Sequence, residues 1–230
     1  MSSLSNAPSP GPPIVKIYLV RHGETQENKD LVIQGQLDTK LNETGLQQAA
    51  LVAEVFKDVP LTAAFSSDLE RARKTAESIL KHHPSVRLVT QPELRERFMG
   101  DLQGRKVDRG RPKLEGMHVE SSPDFIQRIM LWWDATIANN LSATPVDIDV
   151  VHVLIVSHGA FIATLVRTLF TDDIISSVDL ELRDIRSCFN TSVTTIEMRR
   201  DKRGVLKKYS DISHLVMPVV RTNADESPQG

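Results

Sequence analysis

Ile14-Val-Lys-Ile-Tyr-Leu-Val20 runs directly into Arg21-His22-Gly23-Glu24-Thr25. The first part is a β-branched apolar run of strand length, and the second is a turn that sets an imidazole beside a guanidinium. A buried strand ending in a loop is the reading. The pattern returns later in the chain. Val150 to Val156 is the most hydrophobic stretch, and it ends in Ser157-His158-Gly159. Two predicted strands therefore each deliver a histidine to their carboxyl end, which is where ligands collect in open α/β sheets.

Working outward, Thr44-x-x-Gln47 has capping-box spacing, and Leu46, Ala49, Ala50, Ala53 and Phe56 follow at helical intervals. Ala63 to Phe65 predicts a second strand, and Ser67-x-x-Glu70 opens a helix to about Lys81. Val86 to Val89 is a third strand. Ser122-Pro123 reads as an N-cap followed by Pro at N1, and Phe125, Ile129, Trp133 and Ile137 repeat every four residues. That repeat assigns one apolar face of a helix to the core, with Trp132 also interior. A helix over 160–170 follows the long strand, then a strand over 192–198 and an edge partner over 205–209. Strands alternating with helices predict an α/β three-layer sandwich with a mostly parallel central sheet flanked by helices. Met1 to Pro13 and Arg221 to Gly230 have the Ser/Pro/Gly-rich or polar composition of disordered tails, leaving a single domain over 14–220.

Composition excludes several classes. With 28 Lys and Arg against 30 Asp and Glu, a net charge of -2 does not build a large basic surface, so nucleic acid is not an expected partner. No apolar run approaches the ~18 residues of a membrane span, and no secretory leader is evident. The single cysteine, Cys188, excludes an intrachain disulfide and a cysteine-based zinc cage. A reducing compartment is expected, the cytoplasm by default, from which composition does not separate the nucleus. Cys188 lacks the arginine six residues on that a cysteine phosphatase needs, because position 194 is threonine; a small buried side chain is the simpler reading. Asp147-x-Asp149 precedes a hydrophobic strand rather than following one. The phosphate-binding glycine loops, a serine nucleophile elbow and paired zinc histidines are all missing from the sequence. His82-His83 falls at a helix end, a surface position. His118, His152 and His214 receive no role.

Four phrases join the Arg21-His22-Gly23 turn. Asn28 lies six residues after His22, Ser66-Ser67-x-Leu69-x-Arg71-Ala72 opens the second helix, Leu94-Arg95-Glu96-Arg97-Phe98-x-Gly100 fills a loop, and Ser157-His158-Gly159 closes the long strand. All fall at strand ends or helix starts, where anions are received. Together they resemble the histidine phosphatase superfamily, also called phosphoglycerate-mutase-like, over about Ile14 to Met198. Ile33-Gln-Gly-Gln36, Ala64-Phe-Ser-Ser-Asp-Leu69, Leu94-Arg-Glu-Arg97 and Val156-Ser-His-Gly-Ala160 are similar to the TIGAR-type fructose-2,6-bisphosphatase branch.

The resemblance implies metal-free, cofactor-free phosphoryl transfer through a phosphohistidine on His22. Arg21, Arg71 and His158 would hold the phosphoryl oxygens, and Glu96 would be the proton donor, then the base. Glu93 lies three residues earlier in the same loop, but the Leu-Arg-Glu-Arg phrase favours Glu96. Thr25 and Asn28 would complete the pocket, Gln34 and Gly35 would line its rim, and Gly159 would bind substrate at the helix start. Within Gly104 to Ser121, the nine-residue span 105–113 crowds Arg105, Lys106, Arg109, Arg111 and Lys113 with a single acid, Asp108. They form either a solvated loop or a second anion site. The shortness of this segment favours hydrolysis of a small phosphate ester over mutase chemistry, with a non-catalytic phosphate-binding scaffold as the remaining alternative.

Overall fold

The computed structural model describes residues 14–107, 117–141, 150–186 and 188–215. The expected tails, the two aspartates at 147 and 149, and residues 108–116 with Arg109, Arg111 and Lys113 lie outside them. Strands β1 (Val15–Arg21), β2 (Ala63–Ser67), β3 (Leu88–Gln91), β4 (Val151–Ser157), β5 (Ile175–Ser176), β6 (Val193–Met198) and β7 (Gly204–Asp211) form one sheet in the order β3-β2-β4-β1-β6-β7-β5. The left half, β3-β2-β4-β1, is parallel. β6 turns antiparallel to β1, and β7 is antiparallel to β6. The 205–209 segment expected at the edge is flanked on both sides, because the two-residue β5 pairs beyond it.

Helices are α1 (Gln26–Lys29), α2 (Glu43–Phe56), α3 (Glu70–Leu80), α4 (Ser122–Trp133), α5 (Asn139–Leu141) and α6 (Gly159–Thr171). The strands alternate their side chains between two faces. Val15, Ile17, Leu19, Val153 and Ile155 pack on one side with Phe125, Ile129, Trp132 and Trp133 of α4 and Phe161, Leu165 and Val166 of α6. Val20, Leu154 and Val156 pack on the other with Val52, Ala53 and Phe56 of α2 and Ala72, Ala76 and Ile79 of α3. The result is the expected helix-sheet-helix sandwich. Among the described residues no helix is long and apolar enough to cross a membrane.

Local details depart from expectation by a residue or two. Asn42, not Thr44, caps α2 through its side chain and the Gly45 N–H. The buried stripe of α2 is Gly45, Ala49, Val52, Ala53 and Phe56, so Leu46 at 57% exposure and Ala50 face outward. The reason is contact: a Cβ on Gly45 would lie 2.0 Å from the Glu24 carbonyl oxygen, so only glycine lets this turn approach the loop after β1. Ser67 does not cap α3 directly. Its hydroxyl accepts from the Leu69 N–H, while Asp38 from a distant loop accepts from the Glu70 N–H. Ser121, one residue earlier than expected, caps α4 and leaves Pro123 in the first turn. β3 begins two residues later than Val86. A π-turn over Asp134–Ala138 continues α4. A strict four-residue repeat drifts by about 40° per step on an α-helix, and the wider turn keeps Ile137 in the buried stripe.

Candidate active site

Register brings the two histidines together. β1 and β4 are adjacent and parallel with Arg21 opposite Ser157, so the next residue of each strand, His22 and His158, leaves the sheet at the same level. The His22 N–H donates to the Ser157 carbonyl at 3.0 Å, extending the ladder by one bond. The imidazole centroids are 5.1 Å apart at an interplanar angle of 59°, close to the ~4.8 Å spacing of neighbouring strands. Both residues are buried, His158 completely.

The tautomer of His22 follows from its partner. Nδ1 lies 2.7 Å from the Gly23 carbonyl oxygen, which only accepts, so Nδ1 carries the hydrogen and Nε2 carries the lone pair. Burial first, then the Arg71 and Arg21 guanidinia, push the His22 pKa well below the usual imidazole value. His158 is depressed by burial and then by Arg71, with His22, Arg21 and Arg128 adding smaller effects. Both rings are therefore neutral at pH 7. Neither ring nitrogen of His158 finds a hydrogen-bond partner among the described residues, an unusual state for buried polar atoms.

Arg21 and Arg71 are fully or almost fully buried, an uncommon placement for guanidinia. Arg21 donates from Nη1 to the Cys188 carbonyl at 2.6 Å. Arg71, in the first turn of α3, donates to the Leu37 carbonyl at 2.6 Å and the Gly35 carbonyl at 2.8 Å. Gly35 has φ +49, and a Cβ there would meet the Gln103 side-chain oxygen at 2.5 Å, so the rim loop needs glycine at this point. Glu96 is 1% exposed. Its Oε1 accepts from the Arg97 N–H at 2.8 Å and its Oε2 from the Ala160 N–H at 3.0 Å. The second bond ties the carboxylate to the first turn of α6, two residues after His158. Glu93, the alternative acid, contributes its carbonyl to Arg128 instead.

Thr25, Asn28 and Gln34 form a buried hydrogen-bonded layer beside this centre. The Thr25 hydroxyl caps α1 by accepting from the Asn28 N–H, and it donates to the Gln34 side-chain oxygen at 3.0 Å. The Asn190 side-chain amide spans the Asn28 oxygen and the His22 carbonyl, at 3.3 and 3.0 Å. Gly159 is the first residue of α6, with His158 at its N-cap position. Arg105 and Lys106 are exposed. They sit on a strand-like bridge to Val32 and Ile33, immediately before the Gln34-Gly35 rim.

Sequence reading missed several residues that fix the centre. Asn190 and Thr191 hold the backbone of Arg21 and His22 from the far side of the chain, with Thr191 in left-handed conformation at φ 54. Thr75 accepts the Gly23 N–H at 3.0 Å. Asn190-Thr191 is a turn signal that was legible locally; its contact with residue 22 was not. Cys188 is buried as expected, and its carbonyl rather than its thiol meets Arg21.

Comparison with known proteins gives the family. The family model described as histidine phosphatase superfamily (branch 1) matches residues 17–211, and the chain belongs to that family. A protein of Schizosaccharomyces pombe named a probable phosphatase is 33% identical over 208 residues, covering 87% of this chain and 95% of its own. A protein of Yersinia pestis named a probable phosphoglycerate mutase is 32% identical over 222 residues, with 90% and 98% covered. Among solved structures, a mycobacterial glucosyl-3-phosphoglycerate phosphatase complexed with VO3 superposes with a TM-score of 0.68 at 26% identity, covering 85% of this chain and 98% of that one.

Proposed function

We propose that this chain, over a single catalytic domain spanning 14–220, hydrolyses small phosphate monoesters through a phosphohistidine on His22. The observation that carries the proposal is the pair of neutral, buried imidazoles 5.1 Å apart with two buried guanidinia beside them. A phosphoryl group between the rings would supply the oxygens that the ring of His158 and the arginines are suited to grip.

In the first step the His22 Nε2 lone pair attacks phosphorus and the P–O ester bond breaks. Glu96, entering as the acid, gives its proton to the departing alkoxide, releasing an alcohol. In the second, Glu96 as carboxylate takes a proton from water, the hydroxide attacks phosphorus, and the P–N bond returns its electron pair to Nε2. Inorganic phosphate leaves. Arg21, Arg71 and His158 stabilise the charge spread over the equatorial oxygens in both steps. Thr25, Asn28 and Gln34 form the pocket wall, and Gly35 and Gly159 let backbone approach the substrate. Arg105 and Lys106 meet a distal anionic group. Fructose-2,6-bisphosphate and glycerate or sugar phosphates are the candidate substrates.

Rapid mixing with a ³²P-labelled ester and acid-labile trapping tests the reading. A phosphoenzyme that appears in the wild type and vanishes in His22→Ala supports it; turnover retained by His22→Ala refutes it. A mutase reading is favoured by the mutase-named relative. Faster 2- to 3-phosphoglycerate interconversion than phosphate release would establish that reading instead.

A further inference from the structure

Glu96 sits in a stretch, residues 95–99, without helix or strand of its own. Its backbone carbonyls need partners from elsewhere: the Glu120 N–H donates to that of Phe98 at 2.8 Å, Gln36 Nε2 to that of Glu96 at 3.0 Å, and Arg128 of α4 to those of Arg95 and Glu96. Arg128 Nη1 donates to the carbonyls of Glu93 at 2.6 Å and Arg95 at 3.0 Å, and Nη2 donates to that of Glu96 at 3.2 Å. The remaining face of the guanidinium is locked by Glu120. Nε donates to one carboxylate oxygen and Nη2 to the other, both at 2.9 Å. Glu120 closes the same loop from the other side: its Oε2 accepts from the Phe98 N–H at 3.0 Å, and its carbonyl accepts from Arg97 Nε at 2.8 Å. The pair is mostly shielded from water, with 20% and 15% of the side chains exposed. The Phe125 ring adds support, since the guanidinium carbon lies 5.0 Å from its centroid.

We infer that Arg128, oriented by Glu120, is a positioning residue that sets the place of the Glu96 carboxylate relative to the leaving group. This rests on the reading of Glu96 as proton donor. Only a guanidinium has the fixed fork of donors that reaches three carbonyls and a carboxylate together; an ammonium on the same stem cannot. A small misplacement of a proton donor costs rate in proportion to how much the leaving group needs the proton.

Benzyl phosphate and 4-nitrophenyl phosphate separate that effect from general damage, because they are similar in shape and differ in the need for protonation. In Arg128→Lys and Arg128→Met, kcat/KM for benzyl phosphate is expected to fall about 10- to 100-fold. That for 4-nitrophenyl phosphate should stay within about threefold. Glu120→Gln should fall between them and the wild type. Competitive inhibition by inorganic phosphate should be unchanged, because the oxyanion pocket is intact. Arg128→Lys and Glu120→Gln retain the test should Arg128→Met fold poorly, with thermal melting as the check. Glu96→Gln is run alongside. If Glu96→Gln shows the selective loss and the Arg128 and Glu120 variants show equal losses on both esters, or none, the inference about Arg128 is overturned and Glu96 stands. If Glu96→Gln shows no selective loss, the reading of Glu96 falls, and this inference with it.

Discussion

His22 and His158 occupy positions where a charged ring is penalised, and the consequence extends from reactivity to stability. An unfolded histidine titrates near pH 6.5, while both rings titrate well below that in the fold. Between those two values the unfolded chain binds protons that the native state refuses. Stability contributed by each ring is therefore complete above about pH 6.5 and is lost as pH falls toward the folded pKa, by up to ~1.4 kcal/mol per pH unit. Denaturant titrations from pH 7.5 to 5 should show that slope, and His22→Gln with His158→Gln should flatten it. NMR gives a second check: both rings should hold the neutral chemical shift at pH 6.5. A separate residue-level prediction concerns the exposed Arg105 and Lys106 beside the rim loop. Replacing both with alanine should raise KM for a bisphosphorylated sugar about tenfold or more, and leave that for 4-nitrophenyl phosphate nearly unchanged. Equal effects would return the pair to an ordinary solvated surface.

At the scale of elements, the geometry of the proposed nucleophile His22 depends on how closely α2 meets the loop after β1. The Asn42 side chain caps α2 and also donates to the Glu24 carboxylate at 2.9 Å, fastening helix and loop together. Gly23 and Gly45 face each other across this contact, and a Cβ on either would fall within 2.5 Å of backbone oxygen. Gly45→Ala should thus destabilise by about 1–3 kcal/mol as overpacking and lower kcat by moving the loop, measurable by melting and by aryl phosphate turnover. Existence and type of the longer elements were legible from periodicity, because burial on one face imposes a 2- or 3.6-residue repeat on the residues themselves. Cap positions were less so. Thr44-x-x-Gln47 has the capping-box pattern and Asn42-x-x-Gly45 does not, yet Asn42 is the cap, because the close approach of Glu24 places the helix start there. The Asp38 contact with the start of α3 comes from 32 residues away and has no local signature.

Across the whole molecule, the site exists only because β4 inserts between β2 and β1 and pairs in a register that places Ser157 opposite Arg21. Shifting that register by one residue would turn both faces of β4 inside out and separate His158 from His22. A ligand that bridges these strand ends and α3 stabilises the entire sheet by mass action. Inorganic phosphate at about 100 times its Kd should add ~2.7 kcal/mol, raising Tm by roughly 5–10 °C for a domain of this size. Arg71→Ala should remove most of that shift in a thermal melt with and without phosphate.

What the sequence by itself determined was the layered α/β class and the set of candidate residues that the fold gathers at one end of the sheet. Both are written in local patterns: alternating burial along strands, and short phrases around His22, Arg71, Glu96 and His158. Tertiary structure alone decided which of these meet, at what distance, and what holds them. Strand register, the Ala160 and Arg128 bonds around Glu96, and the Asn190 clamp on His22 join residues from 32 to 168 positions apart. Nothing in either partner's neighbours specifies such a pairing, because it is fixed by the packing of the two helix layers on the sheet.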